Sequence, residues 1–485
     1  MSDLATLVPL LPEIVTAVGA MALLLFGVLT RESDTQGLTV GWLAILVLLL
    51  AGYCILQQPA EVSSAFNGAF IVDGFGRFMK LLVLAGSAVA LMLAFNQFSD
   101  EQQMKFEYPV LILLSTTGMM MMISAGDLIA LYLGLELQSL AAYVIAAFRR
   151  DQVRSSEAGV KYFVLGALAS GMLLYGASLI YGFTGSTSFQ VIAKVATGTS
   201  ATQNIGLIFG LVFLLVGLAF KISAVPFHMW TPDVYQGAPT PVTAFFSSAP
   251  KVAAMALFLR VLLTAFPGIT PQWQQIVTFL AIASMLLGSF AAIGQRSFKR
   301  LMAYSSIANI GYALIGVASA SVEGTQSVLL YMAIYLAMTL GSFACILALK
   351  RADGWLEDID ELSGLAQTNL PMAFVLATMM FSLAGIPPLA GFFAKLYVFL
   401  AAINAKLYGL AVIGAVTSVV GAYYYLRIVK IMFFDPPRKA FLPVRAIERI
   451  VMGAACAFVL LAFIVPYIPT SLVNAAQAAA RSFYH

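Results

Sequence analysis

The sequence predicts an all-α polytopic membrane protein of about fourteen transmembrane helices, with two inverted five-helix repeats and broken helices 7 and 12. Three observations predict it. Hydrophobic residues make up 61% of the 485 positions and charged ones only 10%, where a soluble domain carries about 25% charged. Apolar runs of roughly 18 to 28 residues, each long enough to cross a bilayer, recur along the whole chain. Lysine and arginine are shared unequally among the segments between those runs.

In order, the expected helices cover 5–29, 38–57, 71–96, 108–124, 127–148, 158–183, 204–226, 240–266, 274–294, 300–319, 325–349, 370–400, 405–432 and 447–470. The first lacks the basic lead and small-residue cleavage pattern of a signal peptide and reads as a retained helix. The gaps around 184–203, 350–369 and 433–446 are loop-sized and leave no room for a soluble domain. Segments after odd-numbered helices hold Arg31, Lys105, Arg149, Arg150, Arg154, Arg296, Lys299, Arg300, Lys350, Arg351, Arg438, Lys439, Arg445 and Arg449. The opposite segments hold Lys194, Lys406 and Arg481. Because cytoplasmic loops are the basic ones, both termini are expected on the outer, periplasmic side.

Helices 7 and 12 are alike in kind. GLAFKISAVPFHMW and SLAGIPPLAGFFAKLYVF each interrupt an apolar run with glycine or proline and place a lysine, Lys221 or Lys395, near the break. They stand five helices apart, an odd number, so a repeat of that size is inverted across the membrane. Interrupted helices at matching places in inverted repeats point to an ion pathway.

Several chemistries are excluded. A formal charge of +4 and the lack of a basic tract argue against nucleic acid as a partner. Cys54, Cys345 and Cys456 are scattered in apolar runs and read as small hydrophobes. Two histidines, His228 and the C-terminal His485, do not supply paired haem ligands, and three cysteines do not supply the four thiolates of an iron–sulfur site. Redox or phosphoryl chemistry by this chain alone is therefore not expected, and no metal site is.

Four charges stand out inside the apolar runs: Glu136 in DLIALYLGLELQSLAAYVIAAF, Lys221, Lys251 just after Pro250, and Lys395. Each costs about 2.5 to 3.5 kcal/mol at a helix centre on insertion scales. A fastening ion pair is the plain alternative, and so is a snorkelling lysine at Lys221 or Lys251. Three lysines against one glutamate favour proton carriage over fastening. Burial lowers a lysine's pKa and a nearby carboxylate raises it, and at about 4 Å the two charges interact by about 4 kcal/mol at an effective dielectric of 20. His228 is open between a proton relay and a contact ordering the loop through Asp233 or the backbone. Asp73, Arg77, Lys80 and Lys161 lie near helix starts and read as interfacial, and the hydroxyls from Thr243 to Ser248 either line a wet cavity or cap backbone.

PFHMWTPDVYQGAPTPVTAFFSSAPKVA closely resembles the signature of the antiporter-like, proton-pumping membrane subunits of respiratory complex I, the bacterial-type NADH-quinone oxidoreductase. Among them it looks like the subunit N type. KRLMAYSSIANIGY, EAGVKYFVLGALASG and SLAGIPPLAGFFAKLYVF are similar to the same pattern, and the likeness covers essentially the whole chain. Lys395 stands where the subunit M type has a glutamate, and the long lateral helix of the subunit L type is not expected.

The resemblance implies N-terminal helices over 1–107, a first repeat over 108–266, an inverted second repeat over 267–432 and a last helix within 433–485. It implies a coupled pair, Glu136 and Lys221, a central relay at Lys251 and an exit-side residue at Lys395. It implies, too, that the chain acts as one subunit of a proton-translocating NADH:quinone oxidoreductase. NAD, FMN, iron–sulfur clusters and quinone would then belong to partner subunits, with the M and K types as neighbours in a bacterial inner membrane. Two other readings stay open: a cation/proton antiporter subunit, and a non-pumping structural membrane subunit.

Overall fold

A computed structural model describes residues 7–31, 33–58, 62–197, 205–351, 354–464 and 467–484. The expected helix start at 5, the loop residues 198–204 and His485 lie outside the described residues. The chain forms two compact units.

Unit 1 comprises Met1–Ile222, Ala249–Ile276 and Gln477–His485. Its helices are α1 (Leu11–Leu29), α2 (Asp34–Gln57), α3 (Gly74–Asp100), α4 (Glu107–Ile123), α5 (Leu128–Ala146), α6 (Val153–Thr184), the short α7 (Phe189–Ala196), α8 (Ile205–Ile222) and, after an excursion of the chain, α11 (Ala249–Ala265). Unit 2 comprises Ser223–Ser248 and Val277–Ala476. It holds α9 (Trp230–Gly237), α10 (Thr240–Phe246), most of α12 (Thr270–Ile293), α13 (Phe298–Ala318), α14 (Val322–Ala348), α15 (Leu370–Ala384), α16 (Ala390–Asn404), α17 (Tyr408–Phe434) and α18 (Ala446–Leu461). Most of the C-terminal α19 (Tyr467–Arg481) belongs there too. Two short antiparallel hairpins, Ser63–Ala65 with Phe70–Val72 and Lys350–Arg351 with Gly354–Trp355, are the only strands among the described residues.

A helix occupies each of the fourteen expected stretches. Among the described residues, eleven spans are long and apolar enough to cross a membrane by length and composition. In lipid the backbone must satisfy its own polar groups, so the starts matter, and several are capped by side chains. Ser33, Asp73, Asp127, Ser321 and Asn369 each accept a backbone N–H three residues on.

The most enclosed spans are Thr240–Ala265, Phe298–Ala318 and Val322–Ala348, each 94% buried over its central window, against 39% for Val153–Thr184. Polar side chains inside spans so enclosed are costly and so informative.

Helices α6 and α8 approach along small residues. A Cβ on Gly176 would stand 2.5 Å from the Leu214 nitrogen and 2.6 Å from the Gly210 carbonyl oxygen, neither of which can swing aside. Close backbone approach of this kind substitutes for the hydrophobic drive that lipid removes. Gly176→Ala should therefore cost about 1–3 kcal/mol, as overpacking does, and lower the temperature at which the purified protein unfolds. An unchanged unfolding temperature would contradict the packing described.

Both expected interruptions are present. The helix ending at Ile222 gives way to Ser223, which has a left-handed φ of 62°, and the next helix starts at Trp230. The helix ending at Ala384 is closed by Gly385 at φ 87°, a value that suits glycine, and α16 begins at Ala390. The Val225–Pro226 and Pro387–Pro388 peptide bonds within these breaks are cis.

Candidate functional site

The polar interior of unit 1 is built on α5, α6, α8 and α11. Asp127 caps α5 by accepting the Ala130 N–H at 2.7 Å, and Thr187 Oγ1 donates to its other oxygen at 2.8 Å. That start fixes the phase of the helix, so Glu136 and Ser139, three residues apart, share a face. Glu136 accepts a hydrogen bond from Ser170 on α6. The Lys221 ammonium, buried at the end of α8, donates to Ser139 and lies 5.5 Å from the centre of the Tyr143 ring. The Ser139 hydroxyl in turn donates a hydrogen bond to the Leu135 carbonyl. Among the described residues no direct ion pair joins Glu136 to Lys221. Ser139, on the same α5 face as Glu136, is the side chain that Lys221 touches.

Lys251 is 1% exposed, and its ammonium donates to the carbonyl of Ile222 at 3.0 Å. Ile222 is the last residue of α8. A helix end leaves four carbonyls without intrahelical partners and carries the negative end of the macrodipole, so a cation there serves both needs.

Unit 2 repeats the device. Lys395 on α16 donates to the carbonyls of Leu383 at 3.1 Å and Ala384 at 2.9 Å, the final residues of α15. Its third donor goes to Ser418 Oγ on α17 at 2.9 Å, and the ammonium sits 4.7 Å from the centre of the Tyr312 ring. Each broken helix thus ends on a buried lysine.

His228 is half-buried in unit 2, with the Pro226 backbone beside its ring. Asp233 accepts from Arg300 Nη1 at 2.7 Å. The same Arg300 nitrogen reaches Gln236 at 3.1 Å, and Lys299 donates to the Ala238 carbonyl at 2.9 Å. The TPDVYQGAP segment is therefore held onto α13 by the two basic residues that open KRLMAYSSIANIGY. Thr243, Ser247 and Ser248 all donate to backbone carbonyls, the capping alternative of the two expected.

Comparison with known proteins bears on this arrangement. The profile described as "NADH:quinone oxidoreductase/Mrp antiporter, TM" matches residues 125–421, a stretch that includes Glu136, Lys221, Lys251 and Lys395. "NADH-quinone oxidoreductase subunit N" of Methylobacterium nodulans is 62% identical over 98% of both chains. Proteins of the same name from Parvibaculum lavamentivorans, 57% identical, and Rhodospirillum rubrum, 52% identical, each align over at least 97% of both chains. The chain belongs to the subunit N family of NADH-quinone oxidoreductases.

The subunit N fold is the one seen in solved complexes. A chain of respiratory complex I from Thermus thermophilus with bound aureothin superposes with a TM-score of 0.82 at 33% identity, over 96% of this chain and 99% of that one. A chain of the Mrp complex from Dietzia sp. shares the fold alone, with a TM-score of 0.84 at 22% identity and 98% coverage of both.

Some polar residues of this subunit N chain depart from what the sequence suggested. Asp73 and Lys80, expected at the interface, are 3% and 2% exposed. Arg260, inside α11, holds Asp73 with both guanidinium nitrogens, at 2.5 and 2.9 Å, and donates through Nε to the Ile123 carbonyl. Lys80 lies 2.6 Å from Glu13 of α1. Paired partners make burial possible where a lone charge would seek the surface. Arg260 and Glu13 were visible in apolar runs, and their presence there was the available signal. Lys161 does stay at the surface, paired with Glu157 one turn earlier. Ser139, Ser170 and Ser418, which touch Lys221, Glu136 and Lys395, carried no signal in the sequence.

Proposed function

We propose that this chain is a proton-translocating membrane subunit of an NADH-quinone oxidoreductase, and that Glu136, Lys221, Lys251 and Lys395 carry the protons. The observation that supports the relay is the burial of three lysines on hydrogen-bonding partners that include the ends of both broken helices. Lys221 holds a proton while the Glu136 carboxylate favours its charge. When that influence weakens, the proton passes to Lys251 and then to Lys395, which releases it on the far side. Driving one charge against 100 mV costs about 2.3 kcal/mol, within what a switch between one lysine and one carboxylate supplies.

In this reading NAD, FMN, the iron–sulfur clusters and quinone are held by other subunits, and subunits of the M and K types flank this one in a bacterial inner membrane. The chain crosses that membrane about fourteen times, with the basic loops cytoplasmic and both termini periplasmic. The repeats cover 108–266 and 267–432, between helices in 1–107 and 433–485. His228 stands in the first break, and its part in the relay is secondary.

The test is Lys251→Ala in the assembled complex reconstituted in vesicles. Protons moved per NADH oxidised should fall while NADH oxidation in the uncoupled state persists. A wild-type ratio would remove Lys251 from the relay. Sodium-dependent flux without NADH would instead favour an antiporter subunit.

A further inference from the structure

Lys395 is 6% exposed, and its hydrogen-bond partners among the described residues are two carbonyls and Ser418, none of them charged. Among those residues it forms no ion pair. A cation enclosed in a membrane span needs an anion or a substitute for one. Tyr312 of α13 is that substitute. The ammonium stands over its ring, 4.7 Å from the centre, and the tyrosine is 2% exposed. The face of an aromatic ring is the negative part of its quadrupole, and it attracts a cation within about 6 Å, most strongly where water is excluded.

The neighbours hold this geometry. A Cβ on Gly385 would stand 3.0 Å from Lys395 Cδ and 3.3 Å from its Nζ, so the glycine leaves the lysine stem its room. Phe399 follows Lys395 by one turn of α16 and shares its face. Its ring meets Tyr312 in a T-shaped contact, centroids 6.4 Å apart at 86°, and Thr417 Oγ1 of α17 accepts from the tyrosine hydroxyl at 3.5 Å. Unit 1 carries the same pairing at its own break. Lys221 stands 5.5 Å from the centre of the Tyr143 ring, which Tyr162 of α6 flanks edge-on at 4.8 Å and 88°. A Cβ on Gly166 would strike the Tyr143 hydroxyl, so that glycine admits the ring. Tyr143 lies on the fifth expected helix and Tyr312 on the tenth, each two helices ahead of the lysine it faces.

We propose that Tyr312 is a positioning residue whose ring face serves Lys395 in place of a carboxylate, and that Tyr143 does the same more weakly for Lys221. The proposal rests on both lysines being relay stations. A carboxylate beside Lys395 would itself take the proton and become a rival station. A ring face attracts the ammonium and accepts no proton, so the charge it holds is free to move onward. The neutral amine gains little from the same face, and the contact therefore separates the loaded station from the empty one. A desolvated contact of this kind is worth about thirtyfold in how firmly the ammonium is held. Lys221 depends on its ring less, because the ring is 5.5 Å away rather than 4.7 Å and because Glu136 favours the charge in the relay.

The experiment reads protons per NADH and uncoupled NADH oxidation from the assembled complex in vesicles. Tyr312→Phe is followed by the same phenylalanine bearing one, two and three ring fluorines, introduced by amber suppression, and by Tyr312→Leu. Fluorine draws electron density off the ring face and hardly alters its volume, so attraction weakens while packing stays. Tyr312→Phe should keep the wild-type ratio. The fluorinated rings should lower it in order, and Tyr312→Leu should bring it toward the Lys395→Ala value, with uncoupled NADH oxidation unchanged throughout. The same series at Tyr143 should lower the ratio less at every step. If the fluorinated rings match Tyr312→Phe while Lys395→Ala loses pumping, the ring's role is overturned and the relay stands. A ratio already lost in Tyr312→Phe would assign the effect to the hydroxyl and overturn it too. An equal or steeper fall at Tyr143 overturns the order given to the two rings. If Lys395→Ala pumps at the wild-type ratio, the relay is overturned and the part of Tyr312 in it.

Discussion

Lys395→Ala should abolish this subunit's entire share of proton movement, because the proposed relay releases every proton from that one nitrogen. Alanine also leaves the Leu383 and Ala384 carbonyls without their buried donor, at about 1–3 kcal/mol for each group not rescued by water. Lys395→Arg separates the two effects. A guanidinium is charged at every accessible pH and presents a planar fork of donors, so it can hold the carbonyls and cannot cycle. The expected result is an assembled complex, competent in uncoupled NADH oxidation, that pumps no better than the alanine variant. Full pumping by either variant would show that protons do not pass through position 395.

The largest stability effect should come from Asp73 and Arg260. Their two-pronged contact is enclosed in unit 1, beneath the rings of Phe75 and Phe483, each 5.0 Å from the guanidinium carbon. Removing one partner strands a charge, so Arg260→Met or Asp73→Ala should cost about 3–5 kcal/mol. The double variant should recover most of the loss, since an apolar replacement of a whole buried pair is often neutral. It should not recover all, because Asp73 also caps α3 through the Gly76 N–H at 2.7 Å, worth about 1 kcal/mol. Thermal unfolding of the two single variants and the double checks this. Additive losses would mean that the two side chains are energetically independent.

The helices were legible because the membrane enforces a simple rule. A span needs an apolar run of fixed length, a helix lies in each expected stretch, and eleven spans among the described residues are long and apolar enough to cross. The breaks were legible as well, since Pro226 and the Pro387–Pro388 pair interrupt those runs. Glu136, Lys221, Lys251 and Lys395 stood out because charge in an apolar run is rare. What failed was the inference from position to exposure. Asp73 and Lys80 sit near a helix start in the sequence, but their depth is set by Arg260 and Glu13, far away in the chain. That the Lys221 ammonium donates to Ser139 was not legible either. Spacing on one helix does not reveal that Ser139 offers the ammonium a nearer oxygen. Ser139, Ser170 and Ser418 were illegible altogether, since hydroxyls in membrane helices commonly bond their own backbone.

An unbroken helix keeps its carbonyls occupied whatever the pH. At Ile222, Leu383 and Ala384 those carbonyls have been entrusted to amines that can lose a proton. Secondary structure at the two breaks is thereby titratable: helix termini register whether a lysine is loaded. In the proposed relay, a pull on a broken helix changes the affinity of its lysine for a proton, and a proton arriving at that lysine pulls back on the helix. Mechanical strain at a break and proton occupancy of its lysine become, in that relay, one variable.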